Sequence, residues 1–440
     1  MRGVTSRLFE APLAVLSDGL RSGRIELARH VHDLCDRIET VEPHVQALLP
    51  EPDRRRRLLA AAEKLLARYP DPNMRPPLFG VPIGIKDIFH VTGFSTRAGS
   101  ALPMAELTGA EGEAVRSLMA AGALILGKTV TTEFAYFEPG PTRNPHHPGH
   151  TPGGSSSGSA AAVAAGLAPL ALGTQTVGSV IRPAAFCGIV GFKPTYDRIP
   201  TSGLLYFAPS ADHVGLFTQD VAGMALAAPV LCQDWRPARP DNRPVLGIPD
   251  GPYLTQASEE AQAAYAAQIE RLAAAGFDLV RVPLFPDIAT INDHHRRLIA
   301  HEFAQQHARL FALYEPLYRG RTAALLREGQ TVPAAEAAAI RDAGAGRRRE
   351  VEQTMQAHGI DLWLCPAAVG PAPAGLDSTG DPVMNLPWTH LGLPALTLPA
   401  GRAANGLPLG LQVVGAWMAD ETLLAWASGI ERELTFRTRT

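Results

Sequence analysis

The N-terminal part of the chain shows apolar side chains at the spacing of an amphipathic helix. In residues 24–49, apolar positions such as Leu27, Val31 and Leu34 recur every three or four residues among charged ones, and residues 54–69 repeat this pattern. Side chains at this spacing lie on one face of a helix, which can pack against a core. The pattern predicts a helical N-terminal segment over about residues 1–75.

Further along, a helical stretch that ends in glycine and is followed by a short apolar run occurs three times. The glycine suits a left-handed helix end, and the apolar run suits a buried strand. The three units are residues 111–121, Gly122 and 123–126; residues 259–275, Gly276 and 277–282; and residues 350–358, Gly359 and 360–365. Helices that alternate with buried strands predict an α/β fold in which helices cover both faces of the sheet.

Residues 140–210 are rich in glycine, serine, threonine and proline, but small apolar side chains lie between them. A disordered linker would be polar and charged, whereas residues 160–172 are nearly free of polar side chains. We therefore expect a core helix and strand there. Because the chain has no repeat of fixed period and no low-complexity tail, we expect one continuous domain over residues 1–440.

The amino-acid composition limits the kinds of binding partner that we expect. The 40 basic and 43 acidic residues give a net charge of -3, which offers no electrostatic reason to expect nucleic acid or an anionic membrane as partner. The N-terminus lacks the uninterrupted apolar segment of a signal peptide, and no run of about eighteen apolar residues occurs. We therefore expect a cytoplasmic protein that acts on a small neutral molecule.

The sequence gives no support for metal or disulfide chemistry. The cysteines lie far apart without a CxxC pair and are expected to be buried thiols. The histidines show no HExxH spacing. We expect no metal and no cofactor. The four cysteines are Cys35, Cys187, Cys232 and Cys365.

Lys86 is the first residue that could carry chemistry. It lies in the segment GVPIGIKDIF, whose apolar residues are typical of a buried strand. Burial disfavours the ammonium form and lowers the pKa of a lysine, so that the amine can act as a base near neutral pH. The simpler alternative is that Lys86 pairs with a carboxylate such as Asp87 at the strand end.

The segment PGGSSSGSAAAVAAG, residues 152–166, leads from a glycine and serine loop into an alanine-rich helix. A phosphate site at the helix N-terminus is disfavoured, because the Lys-Ser/Thr ending of a P-loop and the GxGxxG pattern are both missing. Residues 154–158 match the GxSxG nucleophile elbow, but that motif requires a strand directly before it. The prolines between residues 144 and 153 exclude a central strand, so we interpret the match as accidental.

Ser179 lies in GTQTVGSVIRPAAFCGIVGFKPT, residues 173–195, after a glycine-containing turn that follows an apolar run. Successive backbone amides in such a turn can converge on one point, which is how an oxyanion hole is built beside a nucleophile. The alternative is an ordinary glycine turn between a strand and a helix.

Together these segments resemble the amidase signature family. The glycine and serine loop, GTQTVGSVIRPA and the GFKPT ending occur in the family's order, while GVPIGIKD is similar to its lysine motif and TRNP to its approach to the serine loop. SADHVG at residues 210–215 fits as well, as do GLPALTLPAG and GLPLGLQVVG within residues 392–415. The resemblance extends over about residues 20–433.

The resemblance implies roles for three side chains. Ser179 would attack the substrate carbonyl, Ser155 would bridge, and neutral Lys86 would accept the relayed proton. Ser155 would also adjoin a non-proline cis peptide bond. The amides that would hold the developing oxyanion belong to Thr176, Val177, Gly178 and Ser179.

The resemblance also implies the architecture: an α/β/α fold in which helices wrap a central mixed β-sheet. About residues 76–220 would form a signature core that carries the catalytic residues, and residues 221–440 would complete the same domain.

Three positions depart from the commonest pattern of the family. Val177 replaces a glycine or alanine and crowds the space above Ser179, because a β-branched side chain is bulky close to the backbone. Gln175 replaces a frequent aspartate, so that an ion pair between this position and Arg182 is absent. Asp197 stands where glycine often follows the KPT stretch.

Large side chains near the motifs are candidates for an apolar cleft that binds an aryl or long-chain substrate. We expect substrate contacts from Tyr136, Phe137, Tyr206 and Trp388, with Phe207 and Met384 as further candidates. Core packing is the alternative for each of them.

The resemblance favours a stand-alone amidase, a hydrolase of carbon–nitrogen bonds other than peptide bonds. Its partner would be a small-molecule amide, anilide or carbamate (urethane), and it would act as a monomer or homodimer. One alternative is a glutamine-hydrolysing A-type subunit of a tRNA-dependent amidotransferase. Another is a non-catalytic binding protein built on the same scaffold.

Overall fold

The computed structural model describes residues 12–434, so the ends of the predicted N-terminal segment and of the predicted domain lie outside the described residues. The strands are β1 (Pro82–Lys86), β2 (Leu124–Thr129), β3 (Leu170–Gln175), β4 (Val190–Lys193), β5 (His213–Thr218), β6 (Leu246–Asp250), β7 (Leu279–Pro283), β8 (Leu362–Pro366), β9 (Ala395–Arg402) and β10 (Pro408–Gly415). The helices are α1 (Leu13–Ser22), α2 (Leu27–Val45), α3 (Arg54–Arg68), α4 (Glu113–Ala120), α5 (Ser157–Ala164), α6 (Ile181–Cys187), α7 (Val221–Leu231), α8 (Glu259–Ala274), α9 (Ile288–Gln306), α10 (Ala308–Tyr314), α11 (Gly320–Gln330), α12 (Ala334–His358), α13 (Leu386–His390) and α14 (Asp420–Leu434).

The ten strands form one sheet in the order β2-β1-β3-β5-β4-β9-β10-β8-β6-β7. Pairing is parallel towards both edges, where β1 lies between β2 and β3 and β6 lies between β7 and β8. It is antiparallel in the centre, from β3 through β5, β4, β9 and β10 to β8. The sheet is therefore mixed, as the family resemblance implied.

Helices surround this sheet. The short helices α5 and α6 contact each other and the central strands, and α14 joins α7 and α8 in a second group that packs on strands β4, β5 and β8–β10. Strands β1, β2 and β3 are buried along their whole length, which explains why their sequences are largely apolar rather than alternating. The predicted α/β fold with a mixed sheet wrapped by helices is confirmed; the single domain over residues 1–440 stays a prediction.

The helix boundaries follow the local sequence. The predicted helix over residues 24–49 is α2, which begins after Glu26 because that side chain accepts hydrogen bonds from the amides of Ala28 and Arg29, at 2.9 and 2.8 Å. The glycines predicted to end three helices, Gly122, Gly276 and Gly359, all have positive φ angles, and a strand follows each. The last of these helices, α12, begins at Ala334 rather than at residue 350.

No helix among residues 12–434 combines the length and the apolar character that a crossing of the bilayer requires.

Candidate active site

The predicted catalytic residues come from neighbouring elements at one end of the sheet. β1 and β3 are parallel neighbours in which Ile85 lies opposite Leu172, so the strand ends that carry Lys86 and Thr174 meet. The loop with Ser155 leads into α5, which packs on β1 and β3. The turn with Ser179 lies directly between β3 and α6. Residues far apart in the sequence therefore meet because their strands pair.

Lys86 is fully buried, with 0% exposure. Its Nζ lies 2.7 Å from Ser155 Oγ and 2.8 Å from Thr174 Oγ1. Burial lowers the pKa of Lys86 to about 7, and the negative charge of Asp212 opposes this shift only in part. At neutral pH a large share of the amine is therefore unprotonated and has a lone pair available for the Ser155 hydroxyl.

The alternative role of Lys86, an ion pair with Asp87, is wrong. Asp87 Oδ1 lies 2.6 Å from the ammonium of Lys128 on β2, and its Oδ2 accepts hydrogen bonds from the amides of Arg97 and Ala98, both at 3.1 Å. The side chain of Asp87 therefore already has partners on two other segments.

The serine loop contains the cis peptide bond implied by the resemblance, between Gly154 and Ser155. Neighbouring hydroxyls fix the loop: Ser156 Oγ donates to Thr174 O at 3.2 Å, and Ser157 Oγ donates to Gly153 O at 2.8 Å. Gly158 is needed for close approach, since a Cβ there would lie 2.4 Å from the backbone nitrogen of Val130. No strand directly precedes Gly154 in the described chain, so the GxSxG match is not a nucleophile elbow.

Ser179 is 8% exposed and follows a turn whose backbone donors are available. Within residues 12–434, the amides of Thr176, Val177, Gly178 and Ser179 donate no hydrogen bond to another protein group. The next two amides do have a partner, because Gln175 Oε1 accepts from Val180 and Ile181 at 2.8 and 3.0 Å. This bridge across the turn holds its shape and leaves the predicted oxyanion donors unused.

The side chain of Asp212 lies behind the same turn. Its Oδ1 accepts from Thr176 Oγ1 at 2.5 Å, and its Oδ2 accepts from the amides of Phe207 and Ala208 at 2.9 and 3.1 Å. Burial raises the pKa of Asp212 to about 7, against the effect of these bonds and of Lys86. Asp212 thus links the turn before Ser179 to the loop that carries Phe207.

Ser155 and Ser179 line the same small cavity. The lining residues besides these two serines are Ala135, Tyr136, Phe137, Thr176, Val177, Arg182, Phe207 and Thr379. Three aromatic side chains thus line the cavity together with the two serines, and Tyr136 stacks on Phe207 with ring centroids 5.6 Å apart. A larger cavity of about 760 Å³ between α2 and the segment after β2 contains none of the predicted catalytic residues.

The predicted substrate contacts divide into two groups. Tyr136 and Phe137 line the cavity, as does Phe207. Tyr206 does not line it and has its hydroxyl 3.3 Å from Thr201 Oγ1. The prediction for Trp388 is corrected: the indole is 0% exposed, and its Nε1 donates to the Tyr253 hydroxyl at 2.8 Å, as in core packing.

Met384 belongs to the same part of the core as Trp388. It is fully buried, and its carbonyl accepts a hydrogen bond from the Tyr253 hydroxyl at 2.7 Å. The sequence places Met384 and Trp388 near the family motifs, but it does not show that their side chains turn towards Tyr253.

Arg182 was missed as a residue of the site. It is buried, and its Nη2 donates to Gly154 O at 2.8 Å and to Thr379 Oγ1 at 3.2 Å. Burial lowers the pKa of Arg182 to about 10. Gln175 is uncharged and forms no ion pair with Arg182. Its side-chain oxygen instead accepts hydrogen bonds from the backbone amides of Val180 and Ile181. Arg182 thus joins the cis peptide bond of the serine loop to the loop around Thr379.

The other two departures from the family pattern have visible consequences. Val177 lines the cavity beside Ser179, so its side chain narrows the space next to the Ser179 hydroxyl. Asp197 has a φ of 63°, a left-handed conformation that glycine adopts more easily.

Thr174 and Asp212 were also missed as site residues. Thr174 lies five positions before Ser179, and Asp212 lies within SADHVG, a segment singled out only for its resemblance to the family. A buried threonine at a strand end next to a buried lysine is a usable signal, but only once β1 and β3 are known to be neighbours.

Among residues 12–434, no group of three or more His, Cys, Asp or Glu side chains is arranged to hold a metal ion.

Comparison with known proteins identifies relatives of the whole chain. The profile of the family described as Amidase matches residues 29–424. The chain is 32% identical to the glutamyl-tRNA(Gln) amidotransferase A-type subunit of Synechococcus sp. (strain RCC307), with 96% of this chain and 97% of that protein covered. It is 32% identical to 2-amino-5-chloromuconic acid deaminase of Comamonas testosteroni, with 86% of each covered.

A solved structure described as an amidase has the same fold. It superposes with a TM-score of 0.87 at 31% identity, and the match covers 97% of this chain and 100% of that chain. The family profile, the relatives and the fold agree with the motifs around Lys86, Ser155 and Ser179. The chain therefore belongs to the amidase signature family and is a hydrolase that acts on carbon–nitrogen amide bonds.

Proposed function

We propose that the protein cleaves its substrate through an acyl-enzyme on Ser179, with Ser155 and Lys86 as the proton relay. Ser179 Oγ attacks the carbonyl carbon and passes its proton to Ser155 Oγ, which passes its own proton to Lys86 Nζ. The carbonyl oxygen becomes an oxyanion that the amides of residues 176–179 stabilise. The oxygen of Ser179 is then bonded to the substrate carbon, and the proton is on the lysine.

Collapse of this intermediate requires the proton to return. Lys86 gives its proton back through Ser155 to the departing nitrogen, and the C–N bond breaks to release a neutral amine. An amine is a poor leaving group unless it is protonated as the bond breaks, so the same relay that activates Ser179 suits amides. Water then attacks the acyl group by the same route and restores the Ser179 hydroxyl.

The observation that carries this proposal is the contact between Lys86 Nζ and Ser155 Oγ, 2.7 Å, in a site where burial lowers the pKa of Lys86 to about 7. A lysine with an ordinary pKa would be charged at neutral pH and could not accept a proton. The unused amides of the Ser179 turn supply the second element of the reaction.

The cavity favours small substrates with an apolar group. Tyr136, Phe137 and Phe207 line it together with the two serines, and the other lining residues are uncharged except for Arg182. We therefore expect anilides, aryl amides and aryl carbamates, including urethanes, to be cleaved faster than small primary amides.

We further propose that the protein works alone in the cytoplasm, as a monomer or homodimer on a small-molecule substrate, without nucleic acid or membrane. Support comes from the match to the solved amidase, which covers 97% of this chain and 100% of that chain. The specific alternative is an amidotransferase A-type subunit, favoured by the relatives from Synechococcus. Turnover of an anilide by the purified chain, without partner chains or tRNA, would exclude that alternative.

The nucleophile is tested with Ser179→Ala. Turnover of an anilide or carbamate should fall by about 10⁴-fold or more, because the covalent intermediate cannot form. A fluorophosphonate should label the wild-type protein at Ser179, as located by peptide mass spectrometry, and should not label the variant.

Ser159→Ala provides the matched control. Ser159 is a buried serine on α5 whose hydroxyl donates to Leu172 O at 2.7 Å and does not line the cavity. This variant should retain labelling and most of the turnover. An acyl group found on another residue would contradict the proposal.

A further inference from the structure

Two backbone carbonyl groups in the turn of residues 176–179 accept hydrogen bonds from side chains on α9 and α13. His295, on α9, places Nε2 2.9 Å from the carbonyl oxygen of Thr176. Thr389, on α13, places its Oγ1 2.6 Å from the carbonyl oxygen of Val177. Both side chains are buried, and neither lines the cavity that contains the two serines.

Each of these carbonyls belongs to the same peptide unit as an oxyanion donor. The carbonyl of Thr176 and the amide of Val177 form one planar unit, and the carbonyl of Val177 and the amide of Gly178 form the next. In a trans peptide the N–H points away from the C=O. A side chain that fixes the carbonyl direction therefore also fixes the amide direction on the other side of the turn.

The histidine contact has one consistent arrangement of protons. A carbonyl oxygen only accepts, so Nε2 of His295 must carry a hydrogen. Burial lowers the pKa of His295 to about 4, so the ring is neutral at pH 7 and Nδ1 is an acceptor. His390 Nδ1 lies 3.2 Å from His295 Nδ1 and must be the donor to it. His390 thus sets the tautomer that His295 needs.

The threonine contact is also fixed by a neighbour. Gln175 Nε2 donates to Thr389 Oγ1 at 2.9 Å, which directs the single hydroxyl hydrogen of Thr389 away from Gln175. The shorter of its two remaining contacts is with Val177 O, at 2.6 Å, and the other is with Asn385 O, at 3.0 Å. Gln175 therefore acts on the turn twice, through Thr389 and through the amides of Val180 and Ile181.

We infer that His295, oriented by His390, and Thr389 are positioning residues that orient the Val177 and Gly178 amides towards the reacting carbonyl oxygen. The inference rests on the proposed function, because it assigns these amides the role of oxyanion donors. Neither side chain touches the substrate. Both act through the backbone of the turn, and their contribution is greatest when negative charge develops on the oxygen.

Removal of either contact should lower kcat and leave KM nearly unchanged. His295→Leu and Thr389→Val each remove the donor and keep the side-chain size close to the original, and kcat should fall by about 10- to 100-fold because one oxyanion donor is misaligned. Affinity for phenylboronic acid, which forms a tetrahedral adduct with the serine, should fall in parallel with kcat.

Conservative variants separate positioning from packing. His295→Gln retains an N–H that can reach Thr176 O, and Thr389→Ser retains the hydroxyl, so both should restore most of kcat. His301→Gln is the control for a change on the same helix. His301 is buried, but its Nδ1 lies 2.8 Å from Val332 O, away from the turn, and kcat should be unchanged.

The outcomes are distinguishable. Failure of a fluorophosphonate to label Ser179 in the wild-type protein would overturn the proposed function and, with it, this inference. Normal labelling combined with unchanged kcat in both His295→Leu and Thr389→Val would overturn the inference alone. An equal rise in KM and fall in kcat, or losses that Gln and Ser do not restore, would also overturn it. If His295→Leu does not fold, Thr389→Val and Thr389→Ser test the same claim.

Discussion

Lys86 and Lys128 are buried lysines on neighbouring strands, β1 and β2, but only Lys128 contacts a carboxylate. Lys86 has two hydroxyls as partners, those of Ser155 and Thr174. Lys128 has the carboxylate of Asp87 at 2.6 Å, the carbonyl of Phe89 at 2.8 Å and the hydroxyl of Thr96 at 3.3 Å. Burial lowers the pKa of both lysines, but for Lys128 the adjacent carboxylate favours the charged form.

On the proposed mechanism, this difference gives the same residue type two different roles. A carboxylate next to a buried ammonium compensates much of the cost of its burial and makes a structural link, whereas hydroxyls stabilise the charge less and leave the amine able to exchange a proton. The sequence position beside an aspartate therefore does not decide the role of Lys86. The side chains that the neighbouring strand and loop supply decide it.

Among the variants that test this comparison, the largest expected effect is loss of turnover in Lys86→Met. Methionine keeps the side-chain volume but cannot accept a proton, so kcat should fall by about 10³- to 10⁴-fold. Steady-state kinetics on an anilide measure this loss, and circular dichroism checks that the fold is retained. Turnover within tenfold of wild type would show that the two lysines do not differ in function.

Lys128→Met should lower the stability of the fold and leave the catalytic turnover of the folded protein in place. It leaves the Asp87 carboxylate buried without its cation, so the free energy of unfolding should fall by about 3–5 kcal/mol, measured by urea denaturation. The folded fraction should still turn over substrate. The double variant Lys128→Met/Asp87→Asn should recover part of the stability. If Lys128→Met were as stable as wild type, the ion pair would not be a structural link.

The pH dependence of kcat/KM should show an acid limb near pH 7. Lys86 must be unprotonated to accept the proton, and its pKa is lowered to about 7, so activity should rise as pH increases through this value and then level off. The rate of fluorophosphonate labelling at Ser179 should follow the same limb. A profile that is flat between about pH 5 and 9 would contradict the assignment of Lys86 as the base.

The smallest effect is expected for Thr174→Val. The Thr174 hydroxyl accepts a hydrogen bond from Lys86 and stabilises the ammonium form more than the neutral amine, so its removal should lower the pKa of Lys86. The acid limb of kcat/KM should move to lower pH, with about a tenfold loss of kcat at most. Thr174→Ser keeps the hydroxyl and should leave the limb in place. A shift of the limb to higher pH in Thr174→Val would refute this account.

Local pattern was sufficient for much of the fold. The spacing of apolar residues in α2 and α3, and the glycines after α4, α8 and α12, predicted elements that the structure contains. The start of α12 was missed because residues 334–349 are rich in alanine and arginine and show little apolar periodicity. The order of the strands depends on contacts between distant segments, which periodicity does not reveal.

Only those residues of the site that lie within a family motif could be predicted from the sequence. The resemblance identified Lys86, Ser155 and Ser179, and the structure brings them together. The partners of these residues were not predictable, because Asp212 and Thr174 enter the site through strand pairing and not through local sequence. The prediction that Trp388 contacts the substrate was wrong for the same reason. A large apolar side chain near a motif can face the core or the cavity, and the residues around it decide which.

The bridge made by Gln175 has a consequence for the conditions under which the protein can work. Three of the groups that hold the turn before Ser179 are neutral: the side-chain amide of Gln175, the Thr389 hydroxyl and the uncharged ring of His295. The fourth, the carboxyl of Asp212, is buried. Salt screens the attraction between exposed charges, but it has little effect on hydrogen bonds between uncharged groups or on buried charges. We therefore expect the pocket around Ser179 to keep its shape in concentrated salt as well as in dilute buffer.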